Sequence, residues 1–265
     1  MESMLPKFVS AVALTLAASS AFAGPISKYY ASVSGSQIKV AQGNSIVQQW
    51  NTVHGSEWSI NVNGDIRTSP AGDNSQGSQY TLAGAYTGTN YLDEATGYQD
   101  TDDSTTDGLY NYTVAYTNGN VIRTDRNFGN ATTLFNSGAS SLGITFDETN
   151  HSLWIVSFGG NLVRNYSMTG ALLGSFNTAS GITGGLALDH ADQSLWMVDW
   201  SGNMQNYGKN GAFLGSGPYL GYVLGGEFDL GGASPAASVP EPGSLALLGL
   251  GLAGAALARR RKRAA

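Results

Sequence analysis

The feature that most constrains the fold of this chain is an internal repeat of about 42 residues. The segment at 143–175, GITFDETNHSLWIVSFGGNLVRNYSMTGALLGS, aligns with GLALDHADQSLWMVDWSGNMQNYGKNGAFLGS at 185–216. The offset is 42 residues and falls to 41 after a one-residue deletion near Arg164. A third copy at 110–135 lies 41 residues before the first of these. Sequence periods of about 20 to 50 residues indicate a fold built from stacked supersecondary units.

Each repeat predicts four short strands joined by tight turns. The copy at 143–175 divides into a strand at 143–147, a turn at 148–151, an apolar strand at 153–158, a turn at 159–161, a strand containing Tyr166, a turn at 169–170 and a strand through Leu173. Four strands in about 42 residues is the size of one blade of a β-propeller. A helical solenoid of the same period is disfavoured, since it needs apolar residues spaced about 3.6 apart and fewer glycines.

The repeats predict an all-β domain over residues 24–235, clearest at 102–141, 142–184 and 185–225. At about 42 residues a blade, this length corresponds to five blades or a degenerate ring of six. A last strand at 226–230 begins a new unit and stops, so we expect it to complete a blade that begins near Tyr29.

The first hundred residues leave two possibilities open. Weak echoes of the repeat occur at 42–50, QGNSIVQQW, and at 62–68, VNGDIRT. They predict either further blades or a separate β-rich element that precedes only three or four blades.

Two stretches of the last repeat carry a family resemblance. Residues 185–189, GLALD, and 194–199, SLWMVD, followed by Asn203, resemble the repeat of NHL-type and related six-bladed β-propellers. The resemblance implies a propeller, a fold that hosts many functions. Members that hydrolyse lactones use metal-binding acids from several blades around the channel, and no such set can be assembled from this sequence.

The N-terminal 23 residues are typical of a secretory signal peptide. Lys7 supplies the positive charge, residues 8–18 are apolar, and Ala21 and Ala23 form the small-x-small pattern that predicts cleavage before Gly24. An anchoring helix is disfavoured because the apolar run is short for a membrane span. The chain has no cysteine, so packing alone must stabilise an exported domain of this size.

The C-terminal segment at 239–265, VPEPGSLALLGLGLAGAALARRRKRAA, has three parts. An uncharged run at 243–258 predicts a single hydrophobic helix of about 24 Å, a marginal span for a hydrocarbon core of about 30 Å. The cluster that follows predicts a cytoplasmic end by the positive-inside rule, and consists of Arg259, Arg260, Arg261, Lys262 and Arg263.

This order of parts resembles the PEP-CTERM sorting signal of Gram-negative bacteria, with Val239, Pro240, Glu241 and Pro242 as its motif. The resemblance implies an exosortase as partner, an intermediate anchored in the inner membrane, and cleavage near the motif. It also implies release to the cell surface or extracellular matrix, with exopolysaccharide or other surface proteins as further partners.

The charge of the body argues against nucleic acid as a partner. Residues 24–238 contain 7 Lys and Arg against 17 Asp and Glu, a formal net charge of −10. Phosphate binding needs clusters of basic residues, and the one basic cluster lies in the sorting segment.

One stretch predicts a metal site. Asp100, Asp102, Asp103 and Asp107 offer hard oxygen ligands close in sequence, and Gly108 permits a sharp turn, as a Ca²⁺ loop requires. The usual loop has Glu at its twelfth position, which here is Asn111, so a solvated acidic loop is the alternative. No other cofactor is indicated, and the three histidines are isolated residues without zinc-ligand spacing.

Residues kept in both clear repeats are expected to stabilise the blades. We expect Asp147 and Asp189 to cap turns and Trp154 and Trp196 to pack between blades. A departure between the repeats falls at Asp199 and Trp200, where the other copy has Ser157 and Phe158.

The sequence therefore predicts an exported propeller that acts as a binding or structural module, and a non-enzyme is favoured. The alternative is a metal-assisted hydrolase or lyase of the six-bladed propeller type. Three acids or amides converging on the channel favour the enzyme, and Ser, Thr and apolar residues favour the module.

Overall fold

The described residues form twenty β-strands arranged as five four-stranded antiparallel sheets. The computed structural model describes residues 24–34, 36–55, 57–70, 76–92, 101–138 and 140–232. The strands are β1 (Tyr29–Val33), β2 (Gln37–Gln42), β3 (Ser45–Asn51), β4 (Glu57–Val62), β5 (Ile66–Pro70), β6 (Gly77–Tyr80), β7 (Tyr86–Tyr91), β8 (Thr101–Thr106), β9 (Tyr110–Ala115), β10 (Asn120–Asp125), β11 (Thr132–Asn136), β12 (Ser141–Asp147), β13 (Ser152–Ser157), β14 (Leu162–Ser167), β15 (Leu172–Asn177), β16 (Ile182–Asp189), β17 (Ser194–Asp199), β18 (Asn203–Tyr207), β19 (Phe213–Tyr219) and β20 (Val223–Phe228). A short 3₁₀ turn, Leu230–Gly232, follows β20.

The five sheets are the blades of a propeller. Blade I has the strand order β20-β1-β2-β3, and blades II to V consist of β4–β7, β8–β11, β12–β15 and β16–β19. The innermost strands β20, β4, β8, β12 and β16 each pack against the next, and β16 packs back against β20. This closed ring confirms the predicted all-β propeller and gives it five blades.

The ring is closed by the last strand pairing with the first. β20 pairs antiparallel with β1, with Tyr29 opposite Phe228 and Val33 opposite Val223. This confirms the predicted shared blade, although the strand begins three residues earlier than expected. All twenty strands lie between Tyr29 and Phe228, so the body closes without either terminal segment.

The repeated glycines of the sequence pattern lie where neighbouring blades touch. Gly170 and Gly211 occupy equivalent hairpin turns with φ of +84° and +83°, a conformation that residues with a Cβ adopt rarely. A Cβ at either position would press on Phe135 or Phe176 of the preceding blade. Both the positive φ and the close contact with the preceding blade therefore favour glycine at these turns.

The core lies between the blades, as the repeated tryptophans predict. Trp196 of blade V is 1% exposed and belongs to a cluster with Tyr29 and Phe228 of blade I. Trp154 of blade IV packs in a cluster with Leu188 and Leu195 of blade V. The packing role expected for both tryptophans is confirmed.

The N-terminal part of the body is not a separate element. Its strands β1–β7 form most of blade I and all of blade II, so that alternative is wrong. The echo at 42–50 is also misleading. It covers the outermost strand β3, whereas the repeat residues that it resembles form β14, the third strand of blade IV.

The two terminal segments, 1–23 and 239–265, lie outside the described residues, so the signal peptide and the helix at 243–258 stay predictions. In the part of the chain that the structure describes, no helix has the length and apolar character needed to cross a membrane.

The propeller has two faces that are referred to below. The pocket face is where the innermost strands begin, at Trp58 of β4, Asp102 of β8 and Leu142 of β12. The opposite face is where they end, at Asp147 of β12 and Asp189 of β16. Because neighbouring strands are antiparallel, β9, β13 and β17 end at the pocket face.

Candidate functional site

The pocket face contains a cavity of about 530 Å³ at the mouth of the channel, here called the aromatic pocket. Residues from four of the five blades line it: Ser34, Trp58, Asp102, Tyr116, Leu142, Phe158, Tyr222 and Leu224. A concave site with apolar and aromatic walls and a few polar groups is what a small-ligand site requires.

The repeat itself builds one wall of the aromatic pocket. Tyr116, Phe158 and Trp200 are spaced 42 residues apart, and each directly follows the second strand of its blade. The ring centroids of Tyr116 and Phe158 are 4.7 Å apart, and those of Phe158 and Trp200 are 5.6 Å apart. Tyr222 continues the row with its centroid 6.0 Å from Trp200. Four aromatic rings thus form a continuous band across three blades and the ring closure.

The band is accessible to solvent although it is large and apolar. Trp200 is 49% exposed and Tyr222 is 42% exposed. The glycine at 181 permits the indole to lie close, because a Cβ there would be 2.9 Å from Trp200 Cδ1. Exposed contiguous aromatic surface of this kind marks interaction sites in soluble proteins.

Asp102 is the acidic residue of the aromatic pocket. It is the second residue of β8 and is 4% exposed. Burial, with the negative charge of Asp102 as the next cause, raises the pKa of Tyr222, so the carboxylate acts on that side of the pocket. Among the lining residues that the structure describes, none is Lys, Arg or His. Two basic residues near this face are engaged elsewhere: Lys39 Nζ donates to the Leu220 carbonyl (2.8 Å) and Arg164 to Ser157 Oγ (2.9 Å).

A second pair of acids is sealed inside the ring of innermost strands. Asp103 of β8 is 0% exposed and Glu227 of β20 is 3% exposed. Asp103 Oδ1 accepts a hydrogen bond from the Gly226 amide (3.1 Å), and Oδ2 accepts one from the Ile144 amide (3.3 Å). Glu227 Oε1 accepts hydrogen bonds from the Thr145 hydroxyl (3.3 Å) and the Phe228 amide (3.0 Å).

The two buried acids favour their neutral forms. Burial, reinforced by the charge of Glu227, raises the pKa of Asp103 well above its usual range. Burial raises the pKa of Glu227 to about 8, even though Thr105, His190 and the Phe228 amide favour its charged form. These acids join the innermost strands of blades I, III and IV and do not line the aromatic pocket.

The acidic stretch predicted to bind Ca²⁺ is not a loop over 101–106, because these residues form strand β8. The strand separates the predicted ligands. Asp102 lies at the aromatic pocket and Asp103 in the ring centre, while Asp107 Oδ1 caps a turn by accepting from the Leu109 amide (2.8 Å) and the Tyr110 amide (2.7 Å). Asp100 lies outside the described residues. Among the residues that the structure covers, no three His, Asp or Glu side chains are grouped closely enough to hold a metal ion. Calcium binding stays a prediction.

The repeated acids Asp147 and Asp189 serve the turns on the opposite face, as expected. Asp147 Oδ1 accepts from the Thr149 amide (3.1 Å) and Oδ2 from Trp154 Nε1 (3.1 Å). Asp189 Oδ1 accepts from the Ala191 amide (3.0 Å) and from Ser27 Oγ (2.6 Å), which ties the N-terminal segment to blade V.

The histidines take structural positions. His190 Nδ1 lies 2.7 Å from Glu148 Oε2. Burial alone would lower the pKa of His190, but the hydrogen bond with Glu148 and the surrounding acids raise it. His54 Nε2 lies 3.2 Å from Asn90 Oδ1, and the His151 ring packs against Phe146 with centroids 5.9 Å apart.

Asp199 and Trp200, where the two clear repeats differ, have different roles in the structure. Asp199 Oδ1 accepts from the amides of Ser201 (2.9 Å) and Asn203 (3.0 Å), so it caps the turn after β17. Trp200 joins the aromatic band. The lining aromatics Trp58, Tyr116 and Tyr222 are not identified by the sequence analysis. The 42-residue spacing of the aromatic residues that directly follow the second strands nevertheless marks three positions of the band.

The comparisons with known proteins agree with this architecture. Residues 238–262 match the family model of the PEP-CTERM protein-sorting motif. A chain in the crystal structure of a nidogen/laminin complex has a TM-score of 0.53 at 10% identity, over 77% of this chain and 99% of that chain. No curated protein matches the sequence.

Two further solved structures are similar at lower TM-scores. An inactive variant of virginiamycin B lyase from Staphylococcus aureus, with quinupristin, has a TM-score of 0.42 at 17% identity, over 72% of this chain and 69% of that chain. Myxococcus xanthus glutaminyl cyclase has a TM-score of 0.45 at 12% identity, over 76% and 74% of the two chains.

The fold defines this protein as a five-bladed β-propeller with an aromatic pocket at one mouth of its channel. The chain carries a PEP-CTERM sorting motif at its C-terminal end. The motif implies an exported protein that is anchored transiently in the membrane and processed by an exosortase.

Proposed function

We propose that this protein is an exported binding module that takes its ligand in the aromatic pocket at the cell surface or in the extracellular matrix. The observation that carries the proposal is the band of Tyr116, Phe158, Trp200 and Tyr222 at the mouth of the propeller. Aromatic side chains supply large contact area at low entropic cost, which makes them frequent anchors of binding sites.

The path of the chain supports this role for the pocket face. β20 runs away from the pocket face, and the 3₁₀ turn at Leu230–Gly232 follows its last residue. The described chain therefore ends at Gly232 on the opposite face, and the sorting motif at 238–262 follows it in sequence. We infer that the anchored protein is attached to the membrane on the side of the propeller away from the aromatic pocket.

The alternative of a metal-assisted hydrolase or lyase has less support from the geometry. Among the described residues, Asp102 is the one buried acid that lines the aromatic pocket, and Asp103 and Glu227 are enclosed among the innermost strands. An enzyme of that type needs several acids or amides that converge on the substrate. Exopolysaccharide or another surface protein remains the proposed source of the ligand.

The proposal is tested by capture of the protein on extracellular matrix isolated from the producing bacterium. A fluorescently labelled chain of residues 24–238, which contains all the described strands, is compared with the double variant Trp200→Ala/Tyr222→Ala. The matched control is Phe213→Ala/Leu214→Ala, because these side chains are equally exposed, at 50% and 55%, where β19 begins at the opposite face.

We expect the pocket variant to lose most of the capture and the control to keep it. Treating the matrix with glycosidases or with proteases then distinguishes a polysaccharide from a protein ligand. Equal capture of the wild type and the pocket variant would contradict the proposal, and a wild type that is not captured at all would indicate a purely structural role.

A further inference from the structure

We propose that the opposite face of the propeller contacts the surface of the lipid bilayer while the protein is anchored, with apolar side chains at its turns entering the interface. The inference goes beyond the proposed function, because it concerns the face away from the aromatic pocket and does not depend on the ligand. It follows from the side chains that this face exposes and from the place where the described chain ends.

Large apolar side chains are exposed at the opposite face in all five blades. Single side chains of this kind are common on soluble proteins, so their shared placement is the relevant feature. Each lies beside a turn or at the start of a strand, and because the blades are arranged around one axis, together they surround this face. They are Ile26 before β1 of blade I, Tyr86 of blade II, Leu109 and Tyr110 of blade III, Leu172 and Leu173 of blade IV, and Phe213 and Leu214 of blade V, between 40% and 76% exposed.

The repeat itself produces two of these apolar pairs. Residues 172–173 begin the outer strand β15, and the equivalent residues 213–214 begin β19, in both cases just after the glycine of the hairpin turn. The repeated residues that hold the blades together are buried, as Trp154 and Trp196 are, whereas both of these pairs are half exposed or more. The pairs therefore contribute apolar surface to the face and little to the core.

The described chain ends on the same face. Its last element is the 3₁₀ turn Leu230–Gly232. Asp229 Oδ1 fixes this turn by accepting hydrogen bonds from the Gly64 amide (2.8 Å) and the Gly231 amide (3.0 Å). Gly64 belongs to the turn between β4 and β5 of blade II, which lies at the opposite face. The point from which the chain continues towards the sorting motif is therefore held at this face.

The connection from the fold to the membrane is short. Ten residues, 233–242, separate the last described residue from the run at 243–258 that is predicted to enter the bilayer. Fully extended, a segment of this length reaches at most about 36 Å. Such a tether gives the opposite face a high effective concentration at the bilayer, so a weak affinity for lipid is enough for contact. Leucine and aromatic side chains are among the types that enter the boundary between headgroups and acyl chains.

The charge of the body does not supply the attraction. Residues 24–238 carry a formal net charge of −10, and anionic headgroups attract basic segments rather than acidic ones. Contact therefore has to come from the apolar side chains. For this reason we expect the face to contact zwitterionic lipid, and we expect the contact not to weaken with added salt.

The test measures which face of the tethered protein touches lipid. Residues 24–238 with a C-terminal hexahistidine tag are held on phosphatidylcholine vesicles that contain a nickel-chelating lipid. Because the chain has no cysteine, one introduced cysteine carries an environment-sensitive fluorophore at a single position. Leu214→Cys and Tyr219→Cys place it towards the opposite-face end and the pocket-face end of the same outer strand β19, where the native side chains are 55% and 64% exposed.

We expect spin-labelled lipid to quench the fluorophore at the opposite-face end at least about threefold more than the one at the pocket-face end. The tether alone brings this face near lipid, so a variant separates contact from proximity. Leu172→Ser/Leu173→Ser, in the neighbouring blade, should reduce the quenching at the opposite-face end by about half or more. The matched control Trp200→Ser/Tyr222→Ser, at half-exposed positions of the pocket face, should leave it unchanged.

Each other outcome overturns the inference. Equal quenching at the two ends of β19 means that the tethered protein has no preferred orientation, which leaves the proposed function standing. Stronger quenching at the pocket-face end places lipid against the aromatic pocket and contradicts the proposed function as well. A blue shift at the opposite-face end without lipid quenching, growing with the density of protein on the vesicle, means that this face pairs with a second copy.

Quenching that is unchanged in Leu172→Ser/Leu173→Ser also overturns the inference, since proximity alone then explains it. The melting temperature of this variant shows whether it is folded. The comparison of the two labels is made in a chain that keeps both leucines, so it decides the orientation even if the serine variant is unstable.

Discussion

Replacing Glu227 with Gln should change how the stability of the propeller depends on pH. Glu227 lies in β20, the strand that closes the ring, and is 3% exposed. Burial raises its pKa from the ordinary 4.5 to about 8 in the folded protein. Between these two pH values the unfolded chain releases the proton and the folded protein keeps it, so rising pH favours unfolding.

The expected size follows from the two pKa values. Their difference corresponds to about 5 kcal/mol at about 1.36 kcal/mol per pH unit. This stabilisation is fully present below about pH 4.5 and is lost by about pH 8. It is a large share of the roughly 5–15 kcal/mol by which domains are stable. Asp103, whose pKa is raised by burial and by Glu227, acts in the same direction.

The assay is urea unfolding followed by tryptophan fluorescence from pH 4.5 to 9. We expect the free energy of unfolding of the wild type to fall by several kcal/mol across this range. Glu227→Gln should match the wild type near pH 4.5 and exceed it near pH 8. A smaller slope should remain in the variant, since His190, whose raised pKa depends on Glu148, also loses its stabilising charge as pH rises.

Asp192→Asn is the matched control, because Asp192 is exposed on a turn and Asn can accept the same hydrogen bond from the Ser194 amide. The control should reproduce the pH profile of the wild type. A wild-type stability that stays flat or rises between pH 4.5 and 8, or a Glu227→Gln profile identical to that of the wild type, would refute the reasoning.

Three further predictions concern the packing of the ring, its closure by β20 and the sorting motif. Gly226→Ala places a Cβ against the Tyr29 hydroxyl and should lower the free energy of unfolding, measured in urea, by about 3 kcal/mol. The control Gly174→Ala, on an outer strand with open space around it, should change the same free energy by less than about 0.5 kcal/mol. A chain that ends at Tyr222 lacks β20 and should lose the cooperative unfolding transition seen by calorimetry, and a sharp transition would contradict ring closure by that strand. Deleting 239–265 should leave the melting temperature of the body unchanged but abolish processing and surface retention in cell fractionation, and unchanged retention would contradict the role of the sorting motif.

Much of blades III to V could be predicted from the repeat, because its turns and apolar strands recur at a nearly constant offset. Blades I and II could not. Turns such as Gly43-Asn44 and Asn63-Gly64 resemble the repeat only because glycine and asparagine suit hairpin turns at any position in a blade. The glycine and asparagine residues therefore predict that a hairpin turn is present, but they do not indicate which two strands of the blade it joins.

The acidic stretch at 101–106 was misassigned for a physical reason. A segment of Thr, Asp and Ser is polar enough to predict a loop, yet it forms the innermost strand of blade III. Several of its polar groups are hydrogen-bonded to neighbouring strands: the Thr113 hydroxyl donates to the Asp103 carbonyl (2.7 Å), and the Phe146 amide donates to Thr105 Oγ1 (3.0 Å). The Thr113 partner comes from the paired strand β9 of the same blade, and the Phe146 partner comes from the neighbouring blade, so neither is apparent from the composition of the segment itself.

The aromatic pocket was missed because its members are distant in sequence. They come from four blades, and apart from Asp102 and the departure at 157–158 and 199–200 they are assigned no role by the sequence analysis. The 42-residue spacing of Tyr116, Phe158 and Trp200 is visible in the sequence. Only the radial arrangement of the blades turns that spacing into a continuous wall.

The tryptophan side chains provide the most direct test of the claim that ligand enters the aromatic pocket. Of the five tryptophans, Trp58 lines the pocket and Trp200 belongs to its aromatic band, whereas Trp50, Trp154 and Trp196 pack elsewhere. Indole N–H signals recorded by NMR during titration with soluble extracellular matrix material should shift for Trp58 and Trp200 and stay fixed for the other three. Shifts confined to Trp50, Trp154 or Trp196, or a spectrum that does not change when the material binds, would contradict the account.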